Sequence, residues 1–262
     1  MNYTTLSTEA RGPHVLLVRL DRPQVLNALN TQMGSDLYGL WTRLTAERGD
    51  TRCIVLTGAG ERAFCAGADL KERDGMAPAV WQAQHELFER GFVVLMELPV
   101  PVIAAVNGHA YGGGLELALA CDFIYAARGA RLALSEVRLG IMPGGGGTQN
   151  LPRAVGERRA KELILTAGAF TAEEGAHWGL INRVCDSSSL LNEALATAQA
   201  IAENGPLAVR QAKKSIHYGA QMDLLTGYRF EIEAYNRLVD TEDRREGVRA
   251  FNEKRKPVFK GS

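Results

Sequence analysis

Two glutamates and two glycine-rich turns are the residues with the types and spacing to do chemistry. Glu116 lies in Asn107–Asp122, NGHAYGGGLELALACD, where three glycines, Gly112 to Gly114, precede an apolar helical run, Leu115 to Cys121. Just upstream, Pro99–Val106, PVPVIAAV, reads as a buried strand ending at Asn107. The order is strand, glycine turn, helix. Glycine lets backbone N–H groups approach a ligand closely, and a helix start leaves them unpaired. An anion or a developing oxyanion fits there. A helix N-terminus favours an acidic residue on its own account. The run around Glu116 is nevertheless too apolar for an ordinary solvated carboxylate.

A second loop, Phe64–Leu70 (FCAGADL), can present another backbone N–H from a tight turn, and Glu136 follows the apolar run Ala130–Leu134. Read singly, FCAGADL is a plain loop and Glu136 a surface residue. Read together, two converging N–H donors suit an oxygen that gains negative charge, such as a thioester carbonyl becoming an enolate. Two carboxylates suit proton transfer to and from carbon or water.

The elements that must position these groups alternate. His14–Leu20 and Arg52–Thr57 read as strands, and DRPQVLNALN as the turn after the first. Thr31–Arg48 has helical spacing, as does Pro78–Leu98, with Trp81, His85, Phe88, Phe92 and Leu95 on one stripe. GAGERAFCAGADLKER reads as loop, Asp122–Ala127 as strand, and Met142–Asn150 as a second glycine loop. After Leu151 the pattern is almost all helical, with boundaries at Thr171, Asp186 and Asn204–Pro206. Leu224, Tyr228, Ile232, Tyr235 and Val239 mark an amphipathic helix. The order suggests an α/β core with a helical C-terminal part.

The chain has 262 residues, 46% hydrophobic and 23% charged, an ordinary soluble composition. Basic and acidic residues number 30 each, so no global charge draws it to nucleic acid or an anionic membrane. The four cysteines are scattered without a CxxC pair, Cys53 and Cys121 reading as core thiols, which fits a reducing compartment. No signal peptide and no membrane span are read, and the expected location is cytoplasmic. P-loop, GxGxxG fingerprint and GxSxG elbow are all absent. His85-Glu86 begins like HExxH, but position 89 is Glu, so His85 is assigned to the helix stripe and no metal site is expected.

FCAGADLKER, PVIAAVNGHAYGGGLELALACD, LSEVRLGIMPGGGGTQNLPRAVG and DRREGVRAFNEKRKPVFKG resemble segments of the enoyl-CoA hydratase/isomerase (crotonase) family. The resemblance runs from about His14 to the end. It implies an α/β spiral of ββα units over residues 1–204 and a helical trimerisation region over 205–262. Assembly would be a homotrimer or a dimer of trimers. By motif, Ala68 and Gly113 supply oxyanion-hole N–H groups, and Glu116 and Glu136 match the two catalytic glutamates of the hydratases. Gly144 matches a backbone position that helps hold the catalytic water. Ala66, Asp69, Leu70 and Lys71 fall at substrate-binding positions. Tyr235 and Lys254 match residues that reach the CoA of an adjacent subunit.

The resemblance implies addition of water to a trans-2-enoyl-CoA thioester, with no separate cofactor because CoA is part of the substrate. Members that only isomerise often keep one glutamate or neither. Within the family the segments are most similar to the methylglutaconyl-CoA hydratase branch, some of whose members bind RNA through a lysine-rich helix. The matching helix here, Asn30–Asp50, contains no lysine, so no nucleic-acid partner is expected.

Overall fold

The computed structural model describes residues 3–262. Met1 and Asn2, the start of the segment read for a leader, lie outside them.

Two sheets and a set of helices follow the chain in a repeating order. The strands are β1 (Leu6–Ala10), β2 (Val15–Leu20), β3 (Cys53–Gly58), β4 (Ala63–Cys65), β5 (Val102–Val106), β6 (His109–Tyr111), β7 (Phe123–Ala127), β8 (Arg131–Ala133), β9 (Phe170–Thr171) and β10 (Arg183–Cys185). The larger sheet has the order β1-β2-β3-β5-β7-β10, parallel except for the β1–β2 hairpin. The smaller has the order β4-β6-β8-β9, with β9 antiparallel.

The first helices are α1 (Thr31–Ala46), the short α2 (Leu70–Arg73), α3 (Pro78–Met96) and α4 (Gly113–Leu119). Then come α5 (Gly147–Val155), α6 (Glu157–Thr166), α7 (Ala172–His177) and α8 (Leu190–Ala202). The chain ends in α9 (Pro206–Gly219), α10 (Leu224–Val239) and α11 (Glu242–Asn252). The pairs β3/β4, β5/β6 and β7/β8 each give one strand to each sheet before the chain turns into helix. That is a spiral of ββα units, as the resemblance implies.

The large sheet is apolar on both faces, and the period of two along its strands sorts the side chains. Val18, Leu20, Ile54, Leu56, Val102, Ala104 and Val106 join the main core with α1 and α3. Their alternates, Val15, Leu17, Val55, Ile103 and Ala105, pack on α8 through Ala194, Ala198 and Ala202. Small alanines let that helix sit close to the sheet. Among the described residues, no helix is long and apolar enough to cross a membrane.

Two segments read as loop contain regular structure, and the largely helical stretch after Leu151 also holds the short strands β9 and β10. The stretch read as loop before Pro78 contains β4 and α2. The second glycine loop is already helical from Gly147. Strands of three residues and glycine-led helix starts carry too little apolar pattern to register.

Candidate active site

The glycine turn before α4 is fixed from two sides. Gly112 has φ +52, a left-handed conformation that favours glycine, and its N–H donates to the Ala133 carbonyl at 2.8 Å. Gly114 packs so closely that a Cβ there would stand 2.1 Å from the Cys65 carbonyl oxygen. The start of α4 is thereby pressed against the end of β4, next to the FCAGADL loop.

That loop is held by the turn after β2. Ala66 N–H donates to the Leu26 carbonyl at 3.0 Å, and Leu29 N–H to the Gly67 carbonyl at 2.7 Å. Asp69 N–H donates to the Leu29 carbonyl at 2.9 Å, completing a parallel bridge of Leu29 with Ala68. In such a bridge the neighbours of Ala68 make the bonds, and its own N–H faces the other way. Asn27 holds the turn in shape: it is buried at φ +55, and its side-chain amide donates to the carbonyls of Ala59 and Ala63. Among the described residues, neither the Ala68 nor the Gly113 N–H has an acceptor. The two loops meet where a Cβ on Gly67 would lie 3.4 Å from the Gly113 nitrogen.

Both glutamates border the same space. Glu116 is 4% exposed, and its Oε1 accepts from the N–H groups of Gly145 at 2.7 Å and Gly147 at 2.9 Å. Burial pushes its pKa up to about 7, and the charge of Glu136 adds to the rise. The two N–H donors act the other way. Glu136 opens a short 3₁₀ turn, Glu136–Leu139, after β8, and burial raises its carboxyl too. Its Oε2 is buried without a hydrogen-bond partner. Its Oε1 would stand 3.0 Å from a Cβ on Gly112, so the glycine turn and Glu136 share one surface.

A cavity of about 730 Å³ collects these groups. Ala66, Ala68, Leu70, Gly113, Glu116, Glu136 and Gly144 all line it. Gly144 has the His85 ring beside it, 2.5 Å from where a Cβ would stand. Asp69 and Lys71 do not line the cavity. Asp69 caps α2 and pairs with Arg22 at 2.9 Å, while Lys71 is exposed. Tyr235 on α10 is 66% exposed, Lys254 follows α11, and neither lines this cavity.

Sequence reasoning missed one wall. Arg73, Trp81, His85, Phe88 and Phe92 also line the cavity. Four of them are on the α3 stripe that spacing had identified as apolar. Periodicity gives the face of a helix but not whether that face meets core or cavity. His85 sits there paired with Glu89 at 2.9 Å.

The enoyl-CoA hydratase/isomerase family model matches residues 11–262. The chain belongs to the enoyl-CoA hydratase/isomerase family. It is an enzyme of that family by its relatives too. The short-chain-enoyl-CoA hydratase of Clostridium acetobutylicum is 41% identical, with 98% of this chain and 97% of that one covered. The (E)-benzylidenesuccinyl-CoA hydratase of Thauera aromatica is 39% identical, over 95% and 96%. The crystal structure of an enoyl-CoA hydratase from Bacillus anthracis superposes with a TM-score of 0.97 at 46% identity, covering 99% of this chain and all of that one. In this member of the family, then, the buried carboxylates and the unpaired N–H groups occupy one cavity.

Proposed function

We propose that this enzyme adds water across the C2–C3 double bond of a trans-2-enoyl-CoA thioester. One observation carries the reading: two carboxylates, both raised by burial, face a cavity that also receives two backbone N–H groups without acceptors. The thioester carbonyl accepts from Ala68 and Gly113, which stabilise the enolate oxygen. Glu116 and Glu136 hold a water between them.

The environments separate the roles. The Glu116 carboxyl, pushed up to about 7, has the basicity that suits a general base near neutral pH, and the two N–H donors on its Oε1 fix it in place, so Glu116 takes a proton from water as oxygen bonds to C3. The partnerless buried Oε2 of Glu136 favours a proton, so Glu136 delivers one to C2. By the family motif, Gly144, which lines the same cavity, supports the water through its backbone. A double-bond isomerase needs only one group to shuttle a proton, so the second carboxylate favours hydration.

The scheme uses no cofactor beyond the CoA of the substrate. The apolar residues left open on α10 and α11, among them Leu224, Ile232 and Phe251, suit packing against a second and third copy. In such a homotrimer Tyr235 and Lys254 would reach the CoA of a neighbour.

The test is turnover of crotonyl-CoA by Glu116→Gln and Glu136→Gln. Each keeps shape and loses the ionisable group. Each lowers kcat by about 10²–10⁴ while thioester binding persists. A variant with wild-type kcat removes that residue from the scheme.

A further inference from the structure

Away from the reaction, one cleft carries charge that the chain does not balance. Arg48, Arg52, Arg210 and Lys260 line a polar cleft of about 100 Å³. It shares no lining residue with the active-site cavity. Three stretches of chain meet there: the loop from α1 to β3, the start of α9, and the segment around Lys260 and Gly261. β3 and β5 run parallel away from it, and the active-site loops follow β4 and β6, beyond their far ends. Six residues of β3 put roughly 20 Å between the two ends of that strand.

The cations are held without being neutralised. Arg52 Nη1 donates to the Ala202 carbonyl at 3.1 Å and its Nη2 to the Phe259 carbonyl at 2.8 Å. Arg210 Nε donates to the Pro206 carbonyl at 3.3 Å. The backbone at Lys260 is fixed too, since its N–H and that of Gly261 donate to the Asp243 carboxylate at 2.7 and 2.9 Å. Carbonyls orient a guanidinium and leave its charge in place. Among the described residues, no carboxylate oxygen comes within the 4.0 Å of an ion pair with any of the four, Asp50 on the cleft wall included. Lys213, one turn along α9, shows the contrast: it pairs with Asp122 at 2.8 Å. Burial, and after it the charge of Arg48, hold the Arg210 guanidinium below its ordinary value. Like charges therefore stand close enough to oppose one another, and an anion between them removes that cost.

The cleft also limits the anion. It has room for one small oxyanion, and guanidinium forks match phosphate oxygens with paired hydrogen bonds. Arg210 also lines an adjoining cleft of about 370 Å³, walled in part by Leu98, Pro99, His217 and Tyr218, where an organic group carried on a phosphate would fit.

We propose that Arg48, Arg52, Arg210 and Lys260 bind a phosphate group at a site separate from the active site, and that this anion ties the C-terminal segment to the core. The proposal does not rest on the hydratase reading.

The experiment is calorimetry at constant ionic strength with three probes: inorganic phosphate, adenosine monophosphate and CoA. The proteins are wild type, Arg210→Met, Lys260→Met and, as a control outside the cleft, Arg237→Met. Lys260 and Arg237 are exposed, so replacing them leaves the packing intact. Wild type and Arg237→Met bind inorganic phosphate, and Arg210→Met and Lys260→Met bind it about 10-fold or more weakly. Phosphate also raises the midpoint of thermal unfolding of wild type, and not that of Lys260→Met, because only the folded chain assembles the cleft. Adenosine monophosphate bound more tightly than inorganic phosphate would make a nucleoside phosphate the source, through the adjoining cleft; equal affinity would make it free phosphate. CoA affinity is the same in wild type and Lys260→Met. A CoA affinity that falls together with the phosphate affinity would make the cleft part of the substrate site and overturn the proposal. So would phosphate binding that survives in both Arg210→Met and Lys260→Met, or wild type that binds neither inorganic phosphate nor adenosine monophosphate.

Discussion

Burial sets the behaviour of Glu116 before any substrate arrives. Its carboxyl rises from the ordinary 4.5 to about 7 because the charged form loses water and faces Glu136. The sign of the consequence follows from linkage. Between those two values the folded protein keeps a proton that the unfolded chain has released, so stability falls as pH rises through that window. The shift corresponds to at most about 3 kcal/mol. Glu116→Gln keeps an oxygen for the N–H groups of Gly145 and Gly147 and cannot ionise. Its stability relative to wild type, from urea unfolding at pH 5 and pH 8, is greater at pH 8. A difference independent of pH would show that Glu116 is not charged at the expense of the fold. At this scale the sequence was informative about type. A glutamate inside LELALAC could be singled out because apolar neighbours leave a carboxylate few ordinary uses. Arg73 could not, because LKER reads as a solvated charge run, and the residue that covers its guanidinium, Trp81, belongs to another helix.

Between elements, close backbone approach brings the two N–H donors together, and glycine permits it. Gly114 in α4 leaves no room for a side chain against Cys65. Gly39 in α1 has nothing within 4 Å of its would-be Cβ. Alanine at these two positions therefore acts in opposite directions. Gly114→Ala costs about 1–3 kcal/mol through overpacking and lowers turnover by shifting Gly113. Gly39→Ala adds roughly 0.5–1 kcal/mol through helix propensity. Thermal unfolding of the pair checks this; a Gly114→Ala protein as stable and active as wild type would remove close packing as the device that sets the turn. The glycine cluster and the helix after it were legible in the sequence. The tether that holds the second N–H was not: Asn27 acts through backbone carbonyls of Ala59 and Ala63, more than thirty positions away, and no local pattern encodes that pairing.

For the molecule as a whole, alternating strand and helix patterns followed by helices were enough for an α/β core with a helical tail. They did not contain the division of strands between two sheets, because β4, β6 and β8 have three residues each and are defined by partners distant in sequence. The ββα spiral came instead from resemblance to the family. It matters for function because β4, β6 and β8 end beside one another, so FCAGADL, the glycine turn and Glu136 all emerge at the same cavity. The same proximity makes the central claim simple to test. Crotonyl-CoA is incubated with the wild-type enzyme in water labelled with heavy oxygen, and the thioester product is weighed and fragmented. The account predicts a product heavier by one labelled water, with the heavy oxygen on C3. A product of unchanged mass whose double bond has moved, or an unchanged substrate, would contradict it.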